Sequence, residues 1–308
     1  MKKRRLAVLA AATALVGSLI GGGAASAENP RIVSVDMPIE VLFDARKLAS
    51  DVKPKLVDGT VLVPLRVIAE KMDGTIVLNG NNITVTKGKS KIELTIGSKT
   101  AVMNGKTTTL LQAATVENGR TLVPLRVISE GLNVAVEWDG ILKFVWVGSK
   151  EVPSLKDVKQ AVDFKPYLPY FKGDEILTNS GSGTYQKTFV VDSSEFPFKD
   201  DVNTYNRMDI AFDQNNHPYL QTIINSRASM PSDYYYLSSQ TPAVGYGLTY
   251  LTNIPIKGVH FYYNDLKKIG GNLSSLSKIN FFDIRSSIMI SSNTYAKIMI
   301  KNPWRYTG

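Results

Sequence analysis

The sequence predicts an α+β fold in two parts: a duplicated short-helix/antiparallel β-hairpin module over 28–147, and a β-rich α+β domain over 157–308. Three observations carry this expectation. A twelve-residue segment recurs 60 residues further on. Asp-Gly and Asn-Gly dipeptides, which favour tight hairpin turns, punctuate short apolar runs. All 14 tyrosines lie between Tyr167 and Tyr306, so the composition changes near residue 150.

The first residues are read apart from the fold. Lys2, Lys3, Arg4 and Arg5 form a charged start, Leu6 to Ile20 is apolar, and Ala25-Ser26-Ala27 is an A-x-A site. This predicts a secretory signal peptide over 1–27, cleaved after Ala27, because the apolar run is short of the ~20 residues a spanning helix needs. Cleavage leaves 308 − 27 = 281 residues and lowers the net charge from +9 to +5, since four basic residues depart. The remaining charge is spread evenly, 16 Lys+Arg against 13 Asp+Glu over 28–150 and 16 against 14 over 151–308. Neither half has a dense basic block, so no nucleic-acid partner is expected. No later segment is apolar enough to span a bilayer, so no integral membrane segment is expected after cleavage. The expected location is secreted or extracellular, with association to the cell wall.

The repeat is the strongest signal. Gly59–Glu70 reads GTVLVPLRVIAE and Gly119–Glu130 reads GRTLVPLRVISE, identical at nine of twelve positions. Asp44-Ala45 sits opposite Asn104-Gly105, and Asp58-Gly59 opposite Asn118-Gly119, so turn dipeptides recur in place. A match of this quality predicts a duplicated supersecondary unit, with copies at about 41–100 and 101–147. In each copy a β-type run leads into Pro64 or Pro124, a residue tolerated at the start of a helix because its missing N–H has no partner to lose. Leu65, Ile68, Ala69 and Met72 then fall on one helical face, as do Leu125, Ile128, Ser129 and Leu132. Arg66 and Glu70 recur as Arg126 and Glu130, four apart on each helix. Such pairs read as surface ion pairs worth a few tenths of a kcal/mol, with a charged patch for a partner as the other reading. Hairpin strands are expected at 75–78 and 83–86, at 91–96 and 101–103, and at 134–138 and 142–147 around Asp139-Gly140.

At these residues the chain resembles a known family. The doubled (N/D)-G-x-x-L-V-P-L-R-x-x-x-E pattern, with Ile96-Gly97-Ser98 and Asn104-Gly105 between copies and Val136-Glu137-Trp138-Asp139-Gly140 at the end, is similar to the copper amine oxidase N-terminal-like domain. That module is also called the stalk domain of secreted Firmicute proteins. The resemblance covers about 31–148 and implies a surface-exposed accessory module joined to a varied partner domain. It does not imply catalysis, because the name refers to a domain remote from the oxidase active site.

Residues 148–156, with Gly148, Ser149, Pro153 and Ser154, read as a linker. Ser154 and Asp157 form a capping signature for a helix running to about Asp163. Beyond it the chain reads mostly as strands, at 185–191, 208–212, 219–224, 247–251, 258–263, 278–284, 288–291 and 295–300, with long loops at 191–205 and 226–240.

Chemistry is sparse. The absence of cysteine removes a disulfide scaffold, a thiolate metal site and a cysteine nucleophile, and two histidines cannot supply a three-histidine metal site. Asp213 with His217 and His260 with Asp265 are the nearest approach to a metal or acid–base site, and each histidine alone reads as an ordinary surface or strand residue. G-x-S-x-G, H-E-x-x-H and the Gly-rich phosphate loop are absent. No catalytic residue, metal site or cofactor is therefore assigned. The candidate ligand-binding residues are Tyr234, Tyr235 and Tyr236, whose rings can stack on sugar faces, although successive strand residues point to opposite sides.

The expected function is a secreted, non-catalytic cell-surface or cell-wall-associated binding or structural protein presenting a β-rich C-terminal domain. Its partner is a cell-wall polymer or carbohydrate, or another surface protein. The alternative is a secreted hydrolase of polysaccharide or peptidoglycan with the stalk domain as its accessory module. An amine oxidase is not expected, for want of histidine ligands and of any Asn-Tyr dipeptide from which its quinone is made.

Overall fold

The computed structural model describes residues 30–181, 183–226, 233–247 and 258–305. The expected signal peptide and part of the strand expected at 247–251 lie outside them. The fold is β-rich with few, short helices.

The first strand, β1 (Ile32–Asp36), does not join the module that follows it. It runs antiparallel to the distant strand Asn203–Asp213, with Val35 opposite Ala211. The chain then forms β2 (Glu40–Phe43), β3 (Arg46–Lys47), β4 (Lys55–Val57), β5 (Thr60–Pro64) and helix α1 (Leu65–Lys71). Next come β6 (Thr75–Asn79), β7 (Asn82–Lys87), β8 (Ser90–Thr95), β9 (Thr100–Met103) and β10 (Lys106–Thr109). β11 (Thr115–Glu117), β12 (Arg120–Pro124), helix α2 (Leu125–Gly131), β13 (Val136–Asp139) and β14 (Phe144–Val147) complete this half.

The turn dipeptides make the hairpins. Asp58 and Gly59 have φ of 47° and 76°, and Asn118 and Gly119 have 48° and 71°. Two successive left-handed residues suit a tight hairpin, because the turn then twists with its strands. Asn104-Gly105 does the same at 52° and 80°, whereas Asp44-Ala45 places an alanine at 59°. Pro64 and Pro124 close their strands, and each helix starts one residue later.

The repeat positions interlock in space. β5 and β12 lie side by side and antiparallel, with Val63 facing Val123, Leu62 facing Pro124 and Pro64 facing Leu122. Val63 and Val123 are equivalent residues of the sequence repeat, so this register has a local two-fold relation centred between them. The outer hairpins are exchanged across it. β2–β3 pair with β14–β13, and β9–β10 join β8, β7 and β6. One difference breaks the symmetry: β2 pairs directly and in parallel with β14, whereas β8 stands between β9 and β7. Accordingly α2 packs close on β8, where a Cβ at Gly131 would come within 2.3 Å of Ile92. The equivalent residue of α1 is the exposed Lys71. An aliphatic core, including Val63, Ile68, Ile92, Val123, Ile128 and Val145, joins the three sheets and both helices.

In the second half, a sheet ordered β1, Asn203–Asp213, Pro218–Ser226, His260–Asp265 faces a six-stranded sheet. The latter contains Lys187–Val191, Thr294–Lys301, Phe281–Ser291 and Asp233–Leu237 in adjacent positions. Their shared core is aromatic as well as aliphatic, with Phe189, Tyr205, Tyr234, Tyr262, Phe282 and Ile298. The stretch expected as a loop at 191–205 contains the start of the long strand, and Asp233–Leu237 is a strand within the stretch expected as a loop at 226–240. The helix expected to reach Asp163 is a single turn, Leu155–Val158, followed by the short strand Val162–Asp163. Asp163 leads straight into pairing with Lys187, and the sheet outcompetes a helix too short to stand alone.

Residues 31–308 cluster as one compact unit. A cluster of Leu42, Phe144, Trp146, Val152, Ile223 and Val259 bridges the first and second halves. The stretch expected as a linker is held at both ends: Ser149 N–H donates to Asp44 Oδ1 at 2.8 Å, and Lys199 N–H to the Pro153 carbonyl at 2.9 Å. Among the described residues, no helix is long and apolar enough to cross a membrane.

Candidate binding cleft

Residues 203–213 alternate across the long strand, so Arg207 and Asp209 lie on one face. That face meets the N-terminal half. Arg207 is 2% exposed and grips Asp209 with two bonds, Nε to Oδ2 and Nη2 to Oδ1, both 2.7 Å. Its Nη1 donates to the Leu142 carbonyl at 2.6 Å and to the Pro38 carbonyl at 3.2 Å, and the guanidinium lies 5.3 Å from the Phe144 ring centroid. A single side chain thus fastens the second half to two separate segments of the first. Arginine suits this place because its planar fork satisfies a carboxylate and carbonyls together.

Beside it, Lys47 Nζ lies 3.0 Å from Glu40 Oε1 and 2.8 Å from Oε2. Lys47 also sits over the Phe196 ring, 5.9 Å from its centroid. Burial lowers the Lys47 pKa, against the opposing pull of Glu40. Burial likewise raises the Asp209 carboxyl, opposed by its bonds to Arg207. Both shifts have one cause: these charges sit where water solvates them poorly.

The two pairs help line a cleft of about 490 Å³ between the halves. Its lining mixes the apolar Pro38, Ile39, Leu48, Met208 and Trp304 with Ser50, Ser193 and Ser194 and the charged Asp36 and Lys53. This size falls in the range of a small-molecule or side-chain site. Pro64 of the repeat motif reaches the cleft together with Val67 and Ile68 of α1.

The other residues singled out from sequence lie elsewhere. Arg66 and Glu70 pair loosely on exposed α1, with Nε to Oε1 at 3.8 Å, and Arg126 and Glu130 pair on α2 at 2.5 Å. Pro124 is buried beside Leu62. Tyr234 and Tyr236 are each 1% exposed, with rings inside the aromatic core, and Tyr234 donates to Thr222 Oγ1 at 2.9 Å. Tyr235 points to the other face, half-buried, across from Gly245, where a Cβ would come within 2.4 Å of its ring. A sugar-stacking surface from this triplet would therefore rest on Tyr235 alone. The histidine pairs are also rearranged: His217 Nε2 lies 2.8 Å from Asp265 Oδ1, because the strand after His217 pairs with the strand ending at Asp265. Among the described residues, no group of three or more His, Cys, Asp or Glu is placed to hold a metal ion.

Arg207 and Asp209 were missed from sequence, although a signal existed. Opposite charges two apart in a strand share a face, and a charge on a buried face needs a partner.

No curated protein matches this chain. Recognition stops where the first half ends: residues 42–147, the interlocked hairpins and helices that form one wall of the cleft, match the Copper amine oxidase N-terminal domain.

Proposed function

We propose that this chain is an exported accessory protein of the cell surface that binds a cell-wall polymer or a second surface protein rather than transforming a substrate. The duplicated module over 28–147 serves as stalk, 148–156 connects it, and 157–308 is the presented domain, clasped by β1. The observation that carries this reading is the mutual pairing of the buried charges that line the cleft. Arg207 is consumed by Asp209 and two carbonyls, and Lys47 by Glu40. Groups neutralised by one another are arranged to hold two halves together and shape a surface. General acid–base chemistry instead calls for a group with reach to a substrate proton. The match of the first half to a domain met as an accessory supports the same reading.

The test has two arms. N-terminal sequencing of surface extracts should give Glu28 as the first residue. The purified chain should co-sediment with cell-wall material and release no soluble sugar or peptide from it. Steady release of fragments would move the reading to the hydrolase alternative, and a retained Met1 in the cell interior would remove the surface role.

A further inference from the structure

We propose that a second cleft, lined by residues of both halves, binds a neutral glycan segment. This goes beyond the accessory role and depends neither on export nor on the first cleft. The second cleft has a volume of about 580 Å³ and lies between the β13–β14 hairpin and the strands Asn203–Asp213 and Pro218–Ser226. Two tryptophans, Trp138 and Trp146, line one side of it, and two asparagines, Asn206 and Asn225, line the other.

The polar atoms are built in but incompletely used. Asn206 is 3% exposed, and its Nδ2 donates to Asn225 Oδ1 at 2.7 Å. Asn225 Nδ2 is in turn committed to the Gly258 carbonyl at 3.0 Å. No donor among the described residues reaches Asn206 Oδ1. Trp146 is 5% exposed and held edge-on by Phe144 at 5.4 Å, and its Nε1 has no acceptor among the described residues. The buried Trp146 Nε1 left without an acceptor is costly unless a ligand or an ordered water meets it, and the free Asn206 Oδ1 beside it offers an acceptor to the same cleft. Hydroxyl groups donate and accept at once, so a sugar serves both, directly or through one water. The half-buried Trp138 ring adds an apolar face of the kind that packs on a pyranose.

Charge decides the ligand class. Glu137 pairs with Lys150 at 2.8 Å, and Glu151 pairs with Lys199. Asp139 Oδ1 is engaged by the backbone N–H groups of Ile141 and Leu142, both at 2.9 Å. Both ammonium groups of the lining are paired with carboxylates, and its carboxylates outnumber its ammonium groups, so it favours no anionic polymer. A neutral oligosaccharide is the ligand that this lining fits.

The experiment titrates the full chain with neutral β-1,4-linked trisaccharides of glucose and of N-acetylglucosamine, read by tryptophan fluorescence and calorimetry. A saturable spectral shift with at least one of them is expected. Trp138→Ala should weaken binding by at least about tenfold, and Trp138→Phe should restore most of it. Asn225→Ala, at the half-buried rim, is the second variant should Trp138→Ala lose its fold by circular dichroism, and it should also weaken binding. No saturable response to either sugar at millimolar concentration would overturn the proposal. So would folded variants that bind as wild type, or tighter, salt-sensitive binding of an anionic polysaccharide or a peptide.

Discussion

In residues 31–147 most ion pairs stay near water, as Arg66 with Glu70, Lys91 with Glu93 and Arg126 with Glu130 do, and the most enclosed, Lys47 with Glu40, lies at the joint with the second half. Their core is aliphatic, with Val, Ile, Leu, Ala and Met throughout. Among the described residues of 148–308 two ion pairs go inside. Arg207 and Asp209 are 2% and 6% exposed, and Lys297 and Asp283 are 3% and 0% exposed at 2.9 Å. Lys297 is further enclosed by the rings of Phe171 and Tyr185, 5.4 and 5.1 Å away. The first half is thus stabilised by shape and apolar burial. The second half adds polar pairs whose members depend on each other, since a charge in such surroundings is tolerable only while its partner remains.

The largest effect expected from breaking this contrast comes from Arg207→Ala and Asp283→Ala. Each strands a buried opposite charge, so each should cost about 3–5 kcal/mol in urea unfolding. Arg207→Ala should in addition loosen hydrogen-exchange protection at Pro38–Phe43 and Leu142–Val147, because their carbonyl anchor is lost. Asp283→Ala should leave that protection in place.

Val63→Ala and Val123→Ala come next. Both residues are fully buried and face each other, so each truncation should cost roughly 2 kcal/mol from lost transfer and residual cavity. The comparison sharpens if the two costs agree, as equivalent positions require, and it fails if one is near zero.

A smaller effect concerns Lys47. Its folded pKa lies below the unfolded value of 10.5. In the window between the two, the unfolded chain binds more protons, so this residue's contribution to stability rises with pH, by at most about 1.4 kcal/mol per pH unit. The stability of wild type minus that of Lys47→Met should therefore increase from pH 8 towards 10.5. Taking the difference cancels the tyrosines, including Tyr219, whose phenol is pushed up to about 12 by burial first and nearby carboxylates second. A difference that falls with pH would contradict the burial of the Lys47 charge.

The smallest effects belong to Glu70→Ala and Glu130→Ala. Both pairs are largely exposed, so both changes should stay within about 0.5 kcal/mol. A loss of a kcal/mol or more on binding a surface partner, with stability unchanged, would instead reveal the charged patch as an interface.

Much of the first half was readable because its signals are local. The hairpin strands expected at 75–78 and 83–86 fall within β6 and β7, and both helices begin directly after Pro64 and Pro124. The second half was read more coarsely. The strands expected at 278–284 and 288–291 are one continuous strand, Phe281–Ser291, whose register shifts take up the irregular stretch between Asp283 and Ser287. Neither cleft was legible, since each is lined by residues from both halves, far apart in the chain.

By itself the sequence determined the turns, the strand–helix units and their 60-residue spacing, because a turn dipeptide, a proline and a helical periodicity act within a few residues. Only the tertiary structure decided which hairpin pairs with which, that β1 crosses to the second half, that Arg207 stands at the joint, and that Tyr234 and Tyr236 turn into the core. These outcomes rest on pairings across tens to hundreds of residues. There the choice among similar strands is made by the burial of whole faces and by the need of each buried charge for a partner, neither of which a local pattern contains.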